Sequence, residues 1–150
     1  MVFRNGGGKS PEPSGGRYTG AKRTRERPPV EELQFLQTDR FRKWVRKNRL
    51  ESAVARLRAE LLVEPDAGDV IPGGHGLRKV RMAEGGRGKS GGFRVVYVLL
   101  VNRAVAVLVD GYSKSEKEDL SADELAGLVA QLADLQTIAA RLIAETTEEE

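Results

Sequence analysis

Apolar and polar positions change period several times along the chain, and each change marks an element. Val30 to Gln37 (VEELQFLQ) reads as a short strand. Thr38 or Asp39 then caps a helix whose inner stripe is Phe41, Trp44 and Val45, at i, i+3 and i+4. Arg40, Arg42, Lys43, Arg46 and Lys47 lie mostly elsewhere on it, and Asn48 is a natural stop. A second helix is expected from about Leu50 to Val63, with Leu50, Val54, Leu57 and Leu61 on one face. Glu64 to Asp69 has the chemistry of a loop. So short a link between two helices predicts an antiparallel helical hairpin.

Three strand-like runs follow. Gly76–Ala83 is the first, and Glu84–Gly92 is a glycine-rich connection. Gly92–Asn102 and Ala104–Asp110 are nearly continuous apolar runs joined at Asn102-Arg103, which predicts an antiparallel hairpin. Ser121 and Glu124 form a capping box. The last helix carries Leu125, Leu128, Val129, Leu132 and Leu135 on one face, extended by Ile138 and Leu142. The order is strand, two helices, three strands, helix.

Composition bounds what this pattern can be. With 150 residues, 39% of them apolar, the chain supports one domain with a single modest core. Cysteine is absent, which excludes disulfides, thiolate metal sites and a cysteine nucleophile. No apolar run approaches the roughly 18 residues that span a bilayer, and the N-terminus has no apolar signal core. A cytoplasmic protein is the expectation. Residues 1–29, rich in Gly, Pro, Ser and Arg, read as a disordered basic tail. The folded domain is placed at 30–143, with an acidic end at 144–150.

The net charge of +3 hides an asymmetry: +5 over residues 1–29, +5 over 30–110 and −7 over 111–150. A basic body points to a polyanionic partner. Within it, Lys79 and Arg81 are two apart on one strand and share a face, with Val80 and Met82 on the other. Arg94 begins the next strand, while Tyr112, Lys114 and Lys117 follow the third. An antiparallel arrangement would bring these side chains to one groove suited to a phosphate backbone; the alternative is three solvated strand edges with ordinary surface cations. Arg78, Arg87, Lys89 and Lys117 are candidates for holding RNA phosphates.

Other motifs carry less. Ala83-Glu84-Gly85-Gly86-Arg87-Gly88-Lys89-Ser90 matches a relaxed phosphate-loop pattern, but Gly91-Gly92 and a strand follow where a helix is required. A basic loop touching RNA phosphates, or a plain glycine-rich turn, fits better. His75, the only histidine, lacks carboxylate partners for a metal. Glu31-Glu32 shows no acid/base geometry, and Glu116, Glu118 and Asp119 read as charge at a helix N-terminus.

Several ordered segments together resemble a family. They are Gly68-Asp69-Val70-Ile71-Pro72-Gly73, Gly76-Leu77-Arg78-Lys79-Val80-Arg81, Gly88-Lys89-Ser90-Gly91-Gly92-Phe93-Arg94-Val95-Val96-Tyr97, and Tyr112 through Ser121. Over about residues 31–135 the chain resembles the RelE/HigB-like toxins of bacterial type II toxin–antitoxin pairs. The resemblance implies an α+β domain: a small antiparallel sheet packed on one face by the helical hairpin, with a C-terminal helix. It implies ribosome-dependent cleavage of mRNA without cofactor or metal, and neutralisation by a cognate helix-turn-helix antitoxin. Basic side chains on the open sheet face would do the work. Lys79, Arg81 and Arg94 match family positions and Lys114 falls near one; the family's C-terminal catalytic tyrosine has no counterpart here, and Tyr112 is the substitute candidate. Asp110-Gly111 departs from an expected apolar strand end. By chemical type, Arg81 and Arg94 suit charge stabilisation. Lys79 suits a base if neighbouring cations weaken its hold on a proton, and Lys114 or Tyr112 suits an acid. The competing readings are a non-cutting blocker of the ribosome or DNA gyrase, and a plain RNA-binding module.

Overall fold

A computed structural model describes residues 2–4, 33–83 and 92–148. Its elements in chain order are β1 (Val2–Arg4), β2 (Gln34–Thr38), α1 (Asp39–Asn48), α2 (Glu51–Val63), β3 (Asp69–Val70), β4 (Arg78–Met82), β5 (Phe93–Leu100), β6 (Val105–Ser113), α3 (Ala122–Ala130) and α4 (Leu132–Glu148). The six strands form one sheet in the order β1-β2-β6-β5-β4-β3. All neighbours run antiparallel except β2 and β6, which are parallel, so the sheet is mixed. Val2–Arg4, within the stretch whose composition reads as a tail, pairs with β2. Residues 5–32 lie outside the described residues.

Local chemistry explains the helix boundaries. Thr38 caps α1: its hydroxyl accepts from the Phe41 amide and donates to the Val109 carbonyl at 2.8 Å, tying the helix start to β6. At the other end the Arg49 amide bonds to the Arg46 carbonyl and the Leu50 amide to the Val45 carbonyl, with Arg49 left-handed at φ 56°. That is a Schellman ending with arginine where glycine is usual. Ser121 and Glu124 make the expected capping box of α3. The predicted final helix is two helices, because the chain breaks its register at Gln131, which caps α3.

The α1–α2 pair covers one sheet face, burying Phe41, Val45, Leu50, Val54, Leu57 and Leu61 against Phe35, Met82, Val95, Tyr97, Ala106 and Leu108. The α3–α4 pair covers much of the other face: Leu128, Leu135 and Ala139 lie on Leu36, Val96, Val98, Val105, Val107, Val109 and Tyr112. The sheet therefore carries two core clusters rather than the single one expected. Strands buried on both faces need apolar groups at every position. This is why β5 and β6 are near-continuous apolar runs, while β4 (RKVRM) alternates. The open face expected for the sheet shrinks to β4 and the adjoining ends of β5 and β6.

Tyr97 ties this body to the loop after α2. Its hydroxyl donates to the Pro65 carbonyl at 2.7 Å and accepts from the Gly68 amide at 2.9 Å.

Candidate functional site: a cation row with a carboxylate beside it

Strand register brings the main candidates together. Arg81 pairs with Arg94, and Arg94 pairs with Tyr112, giving one row across β4, β5 and β6. Directly paired residues project to the same face, with Cβ atoms roughly 4.5–5.5 Å apart. Lys79 lies two residues along β4 on that same face, opposite Val96. Arg81, Arg94 and Lys79 thus share this corner of the sheet with Tyr112, whose ring is buried beside Leu128.

Tyr112 does not follow the third strand, as the sequence reading has it, but lies within it, because β6 runs through Ser113. Asp110-Gly111 is what allows this. A register shift near Val96/Tyr97 accommodates an extra β6 residue. Gly111 then faces α1, where a Cβ would overlap the Trp44 ring. The strand continues past the indole, and Tyr112 emerges on the opposite face.

The sequence reading missed Asp119. It lies 40 residues from Lys79, yet the Lys79 ammonium donates to both of its carboxylate oxygens, at 3.0 and 3.1 Å. The Tyr112 hydroxyl donates to Asp119 Oδ1 at 3.3 Å, as does the Leu120 amide at 2.9 Å. These contacts, the Lys79 hydrogen bond foremost, hold the Asp119 carboxyl below the usual carboxylate range. Burial, followed by the Asp119 charge and hydrogen bond, pushes the Tyr112 phenol up to about 12, with Arg94 pulling the other way. Only Asp119's place near the start of α3 was visible in sequence.

Arg94 is half-buried, and its Nη1 is buried with no hydrogen-bond partner among the described residues. An orphaned charged donor of this kind costs about 1–3 kcal/mol or more until an acceptor arrives. Arg81 is exposed. The Lys117 ammonium lies 5.5 Å from the centre of the Tyr112 ring and bonds to Glu124 Oε2 at 2.6 Å. Beside this corner, Asp110 accepts from the Gly111 amide at 2.8 Å and approaches Arg40 at 3.5 Å. Burial, its largest influence, pushes the Asp110 carboxyl above the usual range.

Other candidates fall elsewhere. The Arg78 guanidinium turns to the loop after α2, donating to the Gly68 carbonyl at 2.7 Å and standing 3.7 Å from Asp66. Alternation along β4 puts it on the face away from Lys79 and Arg81. The Lys114 amide bonds to the Gly92 carbonyl, while its ammonium stands 4.0 Å from exposed Glu118. Neither contact joins Lys114 to the Lys79–Asp119–Tyr112 group. Arg87 and Lys89, and with them the phosphate-loop pattern, lie outside the described residues, as do Glu31 and Glu32. His75 is exposed in a turn at φ 54°. Among the described residues no three His, Asp or Glu side chains converge so as to hold a metal ion, and no helix is long and apolar enough to cross a membrane.

The arrangement offers an anion two guanidinium groups and an ammonium, with a phenol and an ionised carboxylate alongside for proton handling. The family model describing the RelE toxin of the RelE/RelB toxin–antitoxin system matches residues 33–150, which takes in every described residue from Leu33 onward. The chain belongs to that family: it is a RelE-type toxin of a toxin–antitoxin pair, and its partner is an antitoxin.

Proposed function

We propose that this toxin is an endoribonuclease that cuts mRNA on the ribosome without a metal ion and so halts translation. The ribose 2′-hydroxyl attacks the adjacent phosphate, leaving a cyclic phosphate and a free 5′-hydroxyl. The observation that carries this reading is the Arg81–Arg94–Tyr112 row with Lys79 on the same face. Charge develops on the phosphate oxygens as the attack proceeds, and fixed cations aimed there stabilise it. Arg94 is the main clamp, since its buried Nη1 has no acceptor among the described residues and a phosphate oxygen supplies one. Arg81 adds a second, exposed guanidinium from the neighbouring strand. The cytoplasm, where translation runs, is the site of action. A helix-turn-helix protein encoded beside the toxin is the proposed antitoxin.

The test is 5′-end mapping of mRNA after brief expression, with purified translating ribosomes as the second assay. Wild type should produce new ends inside coding frames. Arg94→Ala should lower cleavage by about 100- to 1,000-fold, the usual cost of losing one transition-state charge donor. Arg78→Ala, on the other face, should cut like wild type. Growth arrest with intact mRNA refutes cleavage and favours a blocker; DNA damage in its place indicates gyrase.

A further inference from the structure

We propose that Asp119 and Tyr112 form the base side of the reaction as a two-residue proton relay, and that Lys79 is the acid, recharged directly by Asp119. The proposal rests on the nuclease reading above. It reverses the roles that residue type alone suggests for Lys79 and Tyr112.

Hydrogen counting leads to this assignment. A phenol has one proton, and that of Tyr112 goes to Asp119 Oδ1. Toward any other group the phenol oxygen can only accept; Tyr112 is buried, at 4% exposed, so a ribose hydroxyl that reaches this oxygen can give it a proton and receives none. It is also a poor acid, because the adjacent carboxylate helps to raise its affinity for the proton. Lys79 is the converse case. Its ammonium has three protons and among the described residues meets one carboxylate, which leaves at least one N–H to give away.

The steps balance. The 2′-hydroxyl proton passes to Tyr112 Oη as the phenolic proton passes to Asp119 Oδ1. The 2′-oxygen forms its bond to phosphorus. The bond from phosphorus to the 5′-oxygen breaks, its electron pair stays on that oxygen, and a proton from Lys79 Nζ neutralises it. Asp119 is now a carboxylic acid and Lys79 a neutral amine, in contact at 3.0 Å. One proton crosses that contact and restores both. Asp119 reaches the substrate only through its two neighbours and is therefore a positioning and relay residue.

The roles are separated by a leaving group that needs no acid. Ribosomes are programmed with an mRNA whose scissile 5′-oxygen is replaced by sulfur, and cleavage is compared with that of the oxygen parent. On oxygen, Lys79→Ala, Tyr112→Phe and Asp119→Asn should each lose about 100-fold or more, in the range of general acid–base contributions. On sulfur, Lys79→Ala should recover to within about tenfold of wild type, while the other two stay impaired by at least the usual 100-fold. The Tyr112→Phe/Asp119→Asn double variant should be no worse than the poorer single, as expected of residues acting as one unit. Asp119 is 58% exposed, and asparagine keeps an acceptor there, so Asp119→Asn should fold and bind ribosomes, with only the small fall in melting temperature that losing an exposed ion pair brings. Sulfur rescue of Tyr112→Phe or Asp119→Asn, failure to rescue Lys79→Ala, or full activity of Asp119→Asn overturns the assignment. A wild type that cuts neither substrate refutes the nuclease reading instead.

Discussion

Gly111→Ala tests how the site is held on the sheet. The glycine is there for space: a Cβ would overlap three carbons of the Trp44 ring, Cζ3, Cε3 and Cη2. The ring has little room to yield. Phe41 stands 5.8 Å from it, centre to centre, and Phe93 5.7 Å away, edge-on. The backbone is also constrained, since Gly111 is paired with Val95 and the Val109 carbonyl is held by Thr38. Forcing a methyl into such a core costs about 1–3 kcal/mol, and three overlapping ring atoms place this site at the upper end. For an ordered body of about this size, 3 kcal/mol lowers the melting temperature by roughly 9–15 °C. Thermal unfolding followed by circular dichroism reads this directly. Trp44→Leu makes room, so the two substitutions together should be less harmful than their sum, with a coupling of about 1 kcal/mol or more. Because Tyr112 is the next residue, its ultraviolet titration, expected near 12 in wild type, should shift in Gly111→Ala. A melting temperature within 2 °C of wild type, or strict additivity with Trp44→Leu, refutes the steric account.

Three further outcomes follow from the same contacts. Tyr97→Phe removes the donor to Pro65 and leaves the buried Gly68 amide unpaired, which should cost about 1–3 kcal/mol and speed hydrogen exchange at Gly68; unchanged exchange contradicts it. Arg49→Gly relieves a left-handed arginine at φ 56° and should add up to about 1 kcal/mol of stability, visible as a higher urea midpoint. Burial raises the Asp110 carboxyl above its unfolded value, so the folded chain binds that proton more tightly and stability falls as pH rises through the window between the two values. Asp110→Asn should therefore melt higher than wild type at pH 7, with the gain vanishing toward pH 3; a loss at pH 7 refutes the sign.

Much of the architecture was written in local chemistry. Continuous apolar runs gave β5 and β6, four-three-four spacing gave α2, and side-chain caps fixed the starts of α1 and α3. What stayed hidden was set by distant partners. The parallel pairing of β2 with β6 joins segments about 70 residues apart. The two-residue β3 is too short for any periodicity. The expected third strand stops at Asp110 because Asp110-Gly111 departs from an apolar strand end; β6 runs on, and Gly111 leaves room there for the Trp44 ring. For the site, alternation placed Lys79 and Arg81 on one face, whereas the register that sets Arg94 between Arg81 and Tyr112 is a property of the sheet. Arg78 is adjacent to Lys79 in sequence yet turns to Asp66, a distinction that charge counting cannot draw.

Fold and chemistry meet in the segment that leads into α3. Several cations on one face of β4 and β5 repel one another, and a sheet corner left in that state is destabilised. Carboxylates from the chain beyond β6 offset this: Asp119 takes Lys79, and Glu124 takes Lys117. Glu124 closes the α3 capping box as well, so the helix start has its own acid and Asp119 remains available to the site. The two layers are also joined through packing, because Leu128 belongs to the same buried cluster as Tyr112. Loss of α3 would therefore uncover the second core and release Lys79 and Tyr112 from their shared carboxylate in one event. If the toxin is the nuclease proposed above, an agent that displaces α3 should lower cleavage without touching a single arginine of the row.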